Sequence, residues 1–235
     1  MPTESRETAC VLLRSDDSAL LLDAGTGVRR LATQPTLLEG ATRLDVVLTH
    51  FHLDHVCGLS YLPALSLRAT AWAPGRWLYG QSSDALLGPL LGPPVSAFER
   101  AEFGQVHELV AGAQQIGVFT VTTRAQLRHC APTAGLRVDD DLALITDTAY
   151  DAGAVPFVRG VKHLLHEAWS PSNAPRSVDG DATGRDAGRV AAAADIELLT
   201  LIHLNPLLSD HRPVLDDARV VAPHARLGED AQVLE

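Results

Sequence analysis

The sequence predicts a mixed α/β chain, a two-layer core of sheets with helices outside. Short apolar strand-like segments divided by turns fill the first half, and a second run of strands mixed with helices fills the last third. The composition agrees: 46% hydrophobic and 20% charged residues with a mean hydropathy of +0.06 describe a chain that buries a core and exclude intrinsic disorder. No Gly-X-Y or heptad pattern runs through it, and the apolar runs are too short to span a bilayer. At 235 residues, with no internal repeat or long linker, a single domain over 1–235 is expected.

The elements follow in order. Ala9–Leu13 and Ala19–Asp23 read as strands around a Ser15-Asp-Asp-Ser18 hairpin turn. Asp23-Ala-Gly-Thr-Gly27 is a glycine-rich turn opening a short helix over Val28–Ala32. Leu44–Thr49 is a buried strand, and Leu67–Trp72 the next. Prolines and glycines interrupt 74–104, which predicts loops and one short helix near Ser83–Leu91. This stretch holds Trp77, Tyr79, Phe98 and Phe103, which either cover a cleft or simply pack beneath surface loops. Strands are predicted at Gln105–Leu109, Ile116–Thr123, Gly135–Val138, Leu142–Thr146, Lys162–Ala168 and Leu198–His203, and helices at Gly184–Ala194 and Pro213–Val221.

The formal net charge of −10 repels phosphate backbones and argues against a large nucleic-acid partner, although Arg124, Arg128 and Arg137 lie close enough in sequence to form a local basic patch. Cys10, Cys57 and Cys130 are odd in number, widely spaced and without a CxxC, which predicts a reducing compartment. The polar N-terminus lacks the apolar stretch of a signal peptide, so a cytoplasmic protein without membrane association is expected.

The chemistry concentrates in His50-x-His52-x-Asp54-His55, directly after a predicted buried strand. Imidazoles and a carboxylate on one strand-to-helix turn can converge on a divalent metal of borderline hardness. An exposed polar loop is the alternative, but holding three unpartnered histidines beside a core strand is costly. No Gly-x-Ser-x-Gly elbow offers a protein nucleophile.

With these residues in place, the chain resembles the metallo-β-lactamase-fold hydrolases, and among them the ribonuclease Z branch of phosphodiesterases. Leu22-Asp-Ala-Gly-Thr-Gly27 resembles the first motif of that family and Thr49-His-Phe-His-Leu-Asp-His55 the second. His129 in Leu127-Arg-His-Cys-Ala-Pro132, Asp147 in Leu144-Ile-Thr-Asp-Thr148 and His203 in Leu201-Ile-His-Leu-Asn-Pro206 resemble the third, fourth and fifth, and Gly135-Leu-Arg137 resembles a family Gly-Tyr-Arg. The resemblance covers nearly the whole chain. It implies an αββα four-layer sandwich of two packed mixed sheets with helices outside. It also implies two divalent ions, one held by His50, His52 and His129, the other by Asp54, His55 and His203, with Asp147 bridging. Asp23 would brace the metal loop without binding metal. Zinc suits five histidines and two carboxylates, and manganese or iron can occupy such sites too. Cys57 and Cys130 lie near these ligands in sequence, either as supporting groups or as small fillers. Two such ions about 3.5–4 Å apart share a hydroxide, lower its pKa and neutralise charge on a phosphoryl or carbonyl oxygen.

His166-Glu-Ala-Trp169 resembles the branch's His-Glu-Ala-Thr motif, and Asp181-Ala-Thr-Gly-Arg-Asp-Ala-Gly188 its His-Ser-Thr motif, with Asp181 where the family has histidine. The resemblance makes Asp54, Glu167 and Asp181 the candidate catalytic residues. Asp181 would act as a proton donor by sharing a proton with Glu167, which predicts that poor leaving groups suffer most from its loss. Alternatively Asp181 or Thr183 is the N-cap of the 184–194 helix. The branch's long tRNA-gripping arm sits between the third and fourth motifs, where only seventeen residues separate His129 from Asp147.

Three functions remain. The first is a hydrolase of small phosphodiesters, cyclic or short nucleotides, by a metal-bridged hydroxide. The second is an ester, thioester or lactone hydrolase on the same site. The third is a metal-dependent binding protein without turnover. A small-molecule substrate fits best, and since the family often forms homodimers the oligomeric state stays open.

Overall fold

The computed structural model describes residues 7–174 and 180–233. The chain divides into two compact units, the first Glu7–Thr120 and the second from Val121 onward.

The first unit is built on a five-stranded sheet ordered β1 (Val11–Ser15), β2 (Ser18–Leu22), β3 (Arg43–Val47), β4 (Ala69–Ala73) and β5 (Gln105–Glu108). β1 and β2 form an antiparallel hairpin around Asp16, whose φ of 48° is left-handed, a conformation that aspartate tolerates. The remaining pairs, β2 with β3, β3 with β4 and β4 with β5, are parallel. β2 is buried along its whole length, which is why it reads as a continuous apolar run rather than an alternating one. Short helices follow the strands: α1 (Arg29–Thr33), α2 (Leu53–Val56) and α3 (Ser83–Leu87). Leu21, Val46 and Leu48 from the sheet pack with Val28, Leu31 and Leu59 from the segments beside it.

Register places the chemistry. Leu22 lies opposite Val47, and Val47 opposite Trp72, so the residues that follow these parallel strands emerge at one edge. There the Asp23 amide donates to Val47 O (2.9 Å) and the Leu48 amide to Trp72 O (2.9 Å). Loops at the carboxyl ends of parallel strands are where open α/β sheets present functional side chains.

Two expectations change in this unit. Residues 74–104 hold, besides α3, one widened helical turn at Gly75–Tyr79 and a 3₁₀ turn at Arg100–Phe103, and the helix expected to reach Leu91 stops at Leu87. The strand expected over Ile116–Thr123 is two strands, β6 (Gly112–Ile116) and β7 (Phe119–Gln126), because the chain turns at Gly117.

In the second unit the strands are ordered β12-β11-β10-β9-β8-β7, where β8 is Thr133–Val138, β9 Leu142–Ile145, β10 His163–Glu167, β11 Leu198–Ile202 and β12 Arg226–Leu227. β7, β8 and β9 form an antiparallel meander, and β9 through β12 are parallel. Helices α4 (Ala154–Val158), α5 (Gly184–Ala193) and α6 (Arg212–Arg219) cover the sheet, where Ala187, Val190 and Ala191 of α5 and Val214 and Ala218 of α6 join Ile145, Leu164, Leu199 and Leu201 in one core. Asp147 follows β9, Glu167 ends β10 and His203 follows β11, so three parallel strands deliver them to one edge. The β7–β8 loop brings His129 to the same edge, since the Thr133 hydroxyl donates to Asp147 O (3.2 Å).

The cap of α5 is Thr183, not Asp181. The Thr183 hydroxyl accepts from the Asp186 amide (3.2 Å), and the Asp186 carboxylate accepts from the Thr183 amide (3.2 Å). Two of the three arginines of the possible basic patch are engaged internally: Arg124 pairs with Asp151, and Arg137 pairs with Asp140 and donates to the carbonyls of Phe157 and Arg159, while Arg128 is exposed. Among the described residues no cysteine forms a disulfide, and no helix is long and apolar enough to cross a membrane.

Candidate functional site

In the first unit, His50, His52, Asp54 and His55 form one cluster. The His50 ring centroid lies 4.4 Å from that of His52 and 4.3 Å from that of His55. Asp54 Oδ2 lies 3.4 Å from His55 Nε2. Beneath them is Asp23, fully buried and in a left-handed conformation (φ 58°). Its carboxylate accepts from the Thr49 amide (2.7 Å) and the Thr49 hydroxyl (2.9 Å), and meets His55 Nδ1 at 2.8 Å.

Proton counting places a proton on Nδ1 of two histidines. A carboxylate only accepts, so His55 Nδ1 carries a proton, and Nε2 is the nitrogen turned toward Asp54. The Thr49 hydroxyl has one hydrogen, which it gives to Asp23. Its contact with His50 Nδ1 (2.9 Å) is therefore an acceptance, so His50 Nδ1 also carries a proton. One buried carboxylate thus prepares two imidazoles, the second through a threonine. Backbone bonds hold the turn and the histidine loop together: Ala24 N to His55 O and Gly58 N to Ala24 O, each 2.8 Å. Gly58 is required for this approach, since a Cβ there would fall 1.9 Å from Gly25 O. Thr49 was legible only as part of the motif. A hydroxyl immediately before a candidate ligand is the signal that identifies it.

In the second unit, His129, Asp147 and His203 form the other cluster. The Nε2 atoms of His129 and His203 each lie 3.7 Å from Asp147 Oδ1. That is too long for a hydrogen bond and suits ligand atoms spaced around an ion. Asp147 and His203 both take left-handed φ values, 52° and 48°, tolerated by aspartate and uncommon for histidine. The Thr146 hydroxyl donates to Asp147 Oδ2 (2.6 Å) and steadies it. Trp169 lies beside His203, ring centroids 5.5 Å apart.

Both remaining candidates sit beside this cluster. Glu167 is fully buried, and its Oε2 accepts from the Thr148 amide (2.9 Å). Burial, reinforced by the charges of Asp147 and Asp181, pushes its carboxyl well above the usual carboxylate range. Asp181 Oδ1 lies 3.3 Å from His129 Nδ1. The hydrogen bond that Asp181 accepts from His129 raises the His129 pKa against the opposing effect of burial. Next to Glu167, the buried His166 imidazole is lowered to about 4 by loss of hydration. Cys57 is half-buried and Cys130 exposed, so Cys130 is no core filler. The donor chemistry of the two clusters, imidazole nitrogens beside carboxylates, fits a divalent metal.

Comparison with known proteins agrees with this chemistry. A family model described as beta-lactamase superfamily domain matches residues 19–204. The chain is 25% identical to a ribonuclease Z from Gloeothece citriformis, over 98% of this chain and 91% of that protein. Its fold matches the crystal structure of the metallo-β-lactamase fold protein YhfI from Bacillus subtilis with a TM-score of 0.76 at 20% identity, covering 97% of this chain and 92% of that one. It also matches a diphosphatase from the PhnP family with a TM-score of 0.72 at 19% identity, over 96% of this chain and 83% of that one. With two mixed sheets flanked by helices and one family model across most of its length, the chain belongs to the beta-lactamase superfamily, as a metal-dependent hydrolase of the metallo-β-lactamase fold similar to ribonuclease Z.

Proposed function

We propose that this hydrolase cleaves small phosphodiesters, cyclic or short nucleotides, using two divalent ions, zinc in the first instance and manganese or iron as alternatives. The observation that carries the reading is the direct β8–β9 hairpin. His129 and Asp147 are joined by little more than two paired strands and a turn, which leaves no room for an inserted arm between them. The alignment with the Gloeothece ribonuclease Z supports it, since its 304 positions exceed the 235 residues of this chain and the relative therefore carries segments absent here. The net charge of −10 and the internally paired Arg124 and Arg137 support it too.

In this reading His50, His52 and His129 hold one ion, Asp54, His55 and His203 the other, and Asp147 serves both. Such a pair, when bound, supplies Lewis acidity and a water activated at neutral pH. The protein's own part is positioning and proton control. Asp23 and Thr49 keep Nδ1 of His55 and His50 protonated so that both present Nε2. Burial holds the Glu167 carboxyl well above the usual carboxylate range, which suits it to give a proton to a departing alkoxide. Asp54, its side chain 43% exposed, is open to solvent and is the second candidate catalytic carboxylate. The same reading takes residues 1–235 as one domain, because one family model runs across both units, and keeps the protein in a reducing cytoplasm, in line with its cysteines.

The test is turnover of bis(p-nitrophenyl) phosphate against p-nitrophenyl esters and acyl-thioesters, with metal content measured on the same protein. Diester cleavage with close to two ions per chain is expected. Turnover of esters or thioesters alone would replace the reading with a carboxyl hydrolase, and metal binding without turnover with a binding protein.

A further inference from the structure

Asp181 stands where the resembling family has a histidine, and with Thr183 capping α5 it has no capping role to explain it. We propose that Asp181 is a positioning residue that orients His129 as a metal ligand, and is not the proton donor of the reaction. The proposal rests on the metal-centre reading above.

Both ends of the His129 ring are assigned. Asp181 Oδ1 lies 3.3 Å and Gly180 O 3.4 Å from Nδ1. Both groups are acceptors, so Nδ1 carries the proton. The other nitrogen, Nε2, is turned toward Asp147, 3.7 Å from its Oδ1. A carboxylate behind a ligating imidazole fixes its tautomer and ring plane and makes the free nitrogen more basic. The Asp181 side chain is only 9% exposed, so water competes weakly for this contact.

Backbone geometry supports the assignment independently. Gly180 adopts φ +118°, and a Cβ there would lie 2.7 Å from His129 Cα and 3.0 Å from Arg128 O. Only glycine lets this segment press against the His129 backbone and deliver Asp181 to the ring. Fifty-one residues separate the two side chains in sequence, so nothing local demands their meeting. A carboxylate committed to an imidazole N–H in this way does not deliver a proton to a leaving group.

The test uses the full chain with zinc, its affinity read by competition with a chromophoric chelator. Asp181→Ala is expected to weaken zinc binding about 10–100-fold, the range for loss of such a supporting partner. Asp181→Asn, whose amide oxygen still accepts from Nδ1–H, should retain more affinity than Asp181→Ala. In zinc-loaded protein labelled with ¹⁵N-histidine, the downfield His129 Nδ1–H resonance should persist in Asp181→Asn and vanish in Asp181→Ala. Gly180→Ala should weaken zinc as well, through the displaced backbone. Asp181→Ala should slow diesters with good and poor leaving groups by the same factor. Zinc affinity unchanged in both Asp181 variants would overturn the proposal while leaving the metal centre standing, as would a loss confined to poor leaving groups. A wild-type chain that binds no zinc would overturn both.

Discussion

At the scale of single residues, the site depends on where protons sit. Asp23 accepts from an amide and a hydroxyl and holds His55 Nδ1, all in a fully buried place. Asp23→Asn puts an NH₂ group among these donors, so at least one of them loses its acceptor. Stability should fall by about 1–3 kcal/mol, the cost of stranding a buried polar group, and zinc affinity by about 10–100-fold, since two imidazoles lose their fixed tautomers. Urea unfolding and chelator competition measure the two effects separately. His166 is the second case. Its imidazole titrates near 4 when folded against 6.5 as the ordinary value, and its Nδ1–H donates to Glu167 O (2.7 Å). The unfolded chain therefore takes up this proton first as pH drops. Stability should be full above about pH 6.5 and decline toward pH 4, by roughly 3 kcal/mol from this group. His166→Asn should flatten that part of the urea-midpoint profile, and an unchanged slope would show that other groups set it. The motif histidines and Asp23 were legible in the sequence because the loop that carries them is continuous. The Asp181–His129 contact was not, since it is made by tertiary packing and a glycine whose role no local pattern reveals.

At the scale of elements, the sequence reads well where one periodicity runs unbroken and poorly where a short element violates it. The buried strands β2, β3, β9, β10 and β11 appear as apolar runs, and the structure moves their ends by only a residue or two. The hairpin at Gly117 was hidden because apolar residues continue through the turn on both sides. Helix α4 was missed for its five residues and for Pro156, which reads as a breaker. At the third position of a short helix, proline removes an amide that has no intrahelical partner, so it does no harm there. The ambiguity over the start of α5 is resolved by its capping box, and this separates two roles experimentally. Thr183→Ala should cost about 1 kcal/mol through loss of the cap, seen as a lower urea midpoint with unchanged slope. Zinc affinity should stay within about twofold of wild type, because no candidate ligand leans on the Thr183 hydroxyl. A large drop in zinc affinity would mean that the cap and the Asp181 contact act as one unit.

At the scale of the whole molecule, the proposed preference for small diesters rests on charge and on the connection between His129 and Asp147. Ribonuclease binding to a folded RNA is built from many phosphate contacts, each of which releases counterions and steepens the salt dependence. A chain of net charge −10, with two of its clustered arginines paired to aspartates, repels a phosphate backbone. The His129-to-Asp147 connection is a hairpin rather than an arm, so added reach is missing at that point as well. A metal pair can still hold one phosphodiester, because two cations neutralise the oxygens of a single group without help from the protein surface. Cyclic and short nucleotides should therefore be cleaved with a higher kcat/KM than precursor tRNA under the same metal loading. Their KM should change less than about threefold between 50 and 200 mM salt, as expected for one phosphate contact, where several contacts would give a change of orders of magnitude. Steady-state kinetics on a cyclic nucleotide, a dinucleotide and a precursor tRNA across that range measure both quantities. Efficient, steeply salt-dependent cleavage of the tRNA would mean that this acidic surface carries a cationic track that its overall charge conceals, and the preference for small diesters would fall.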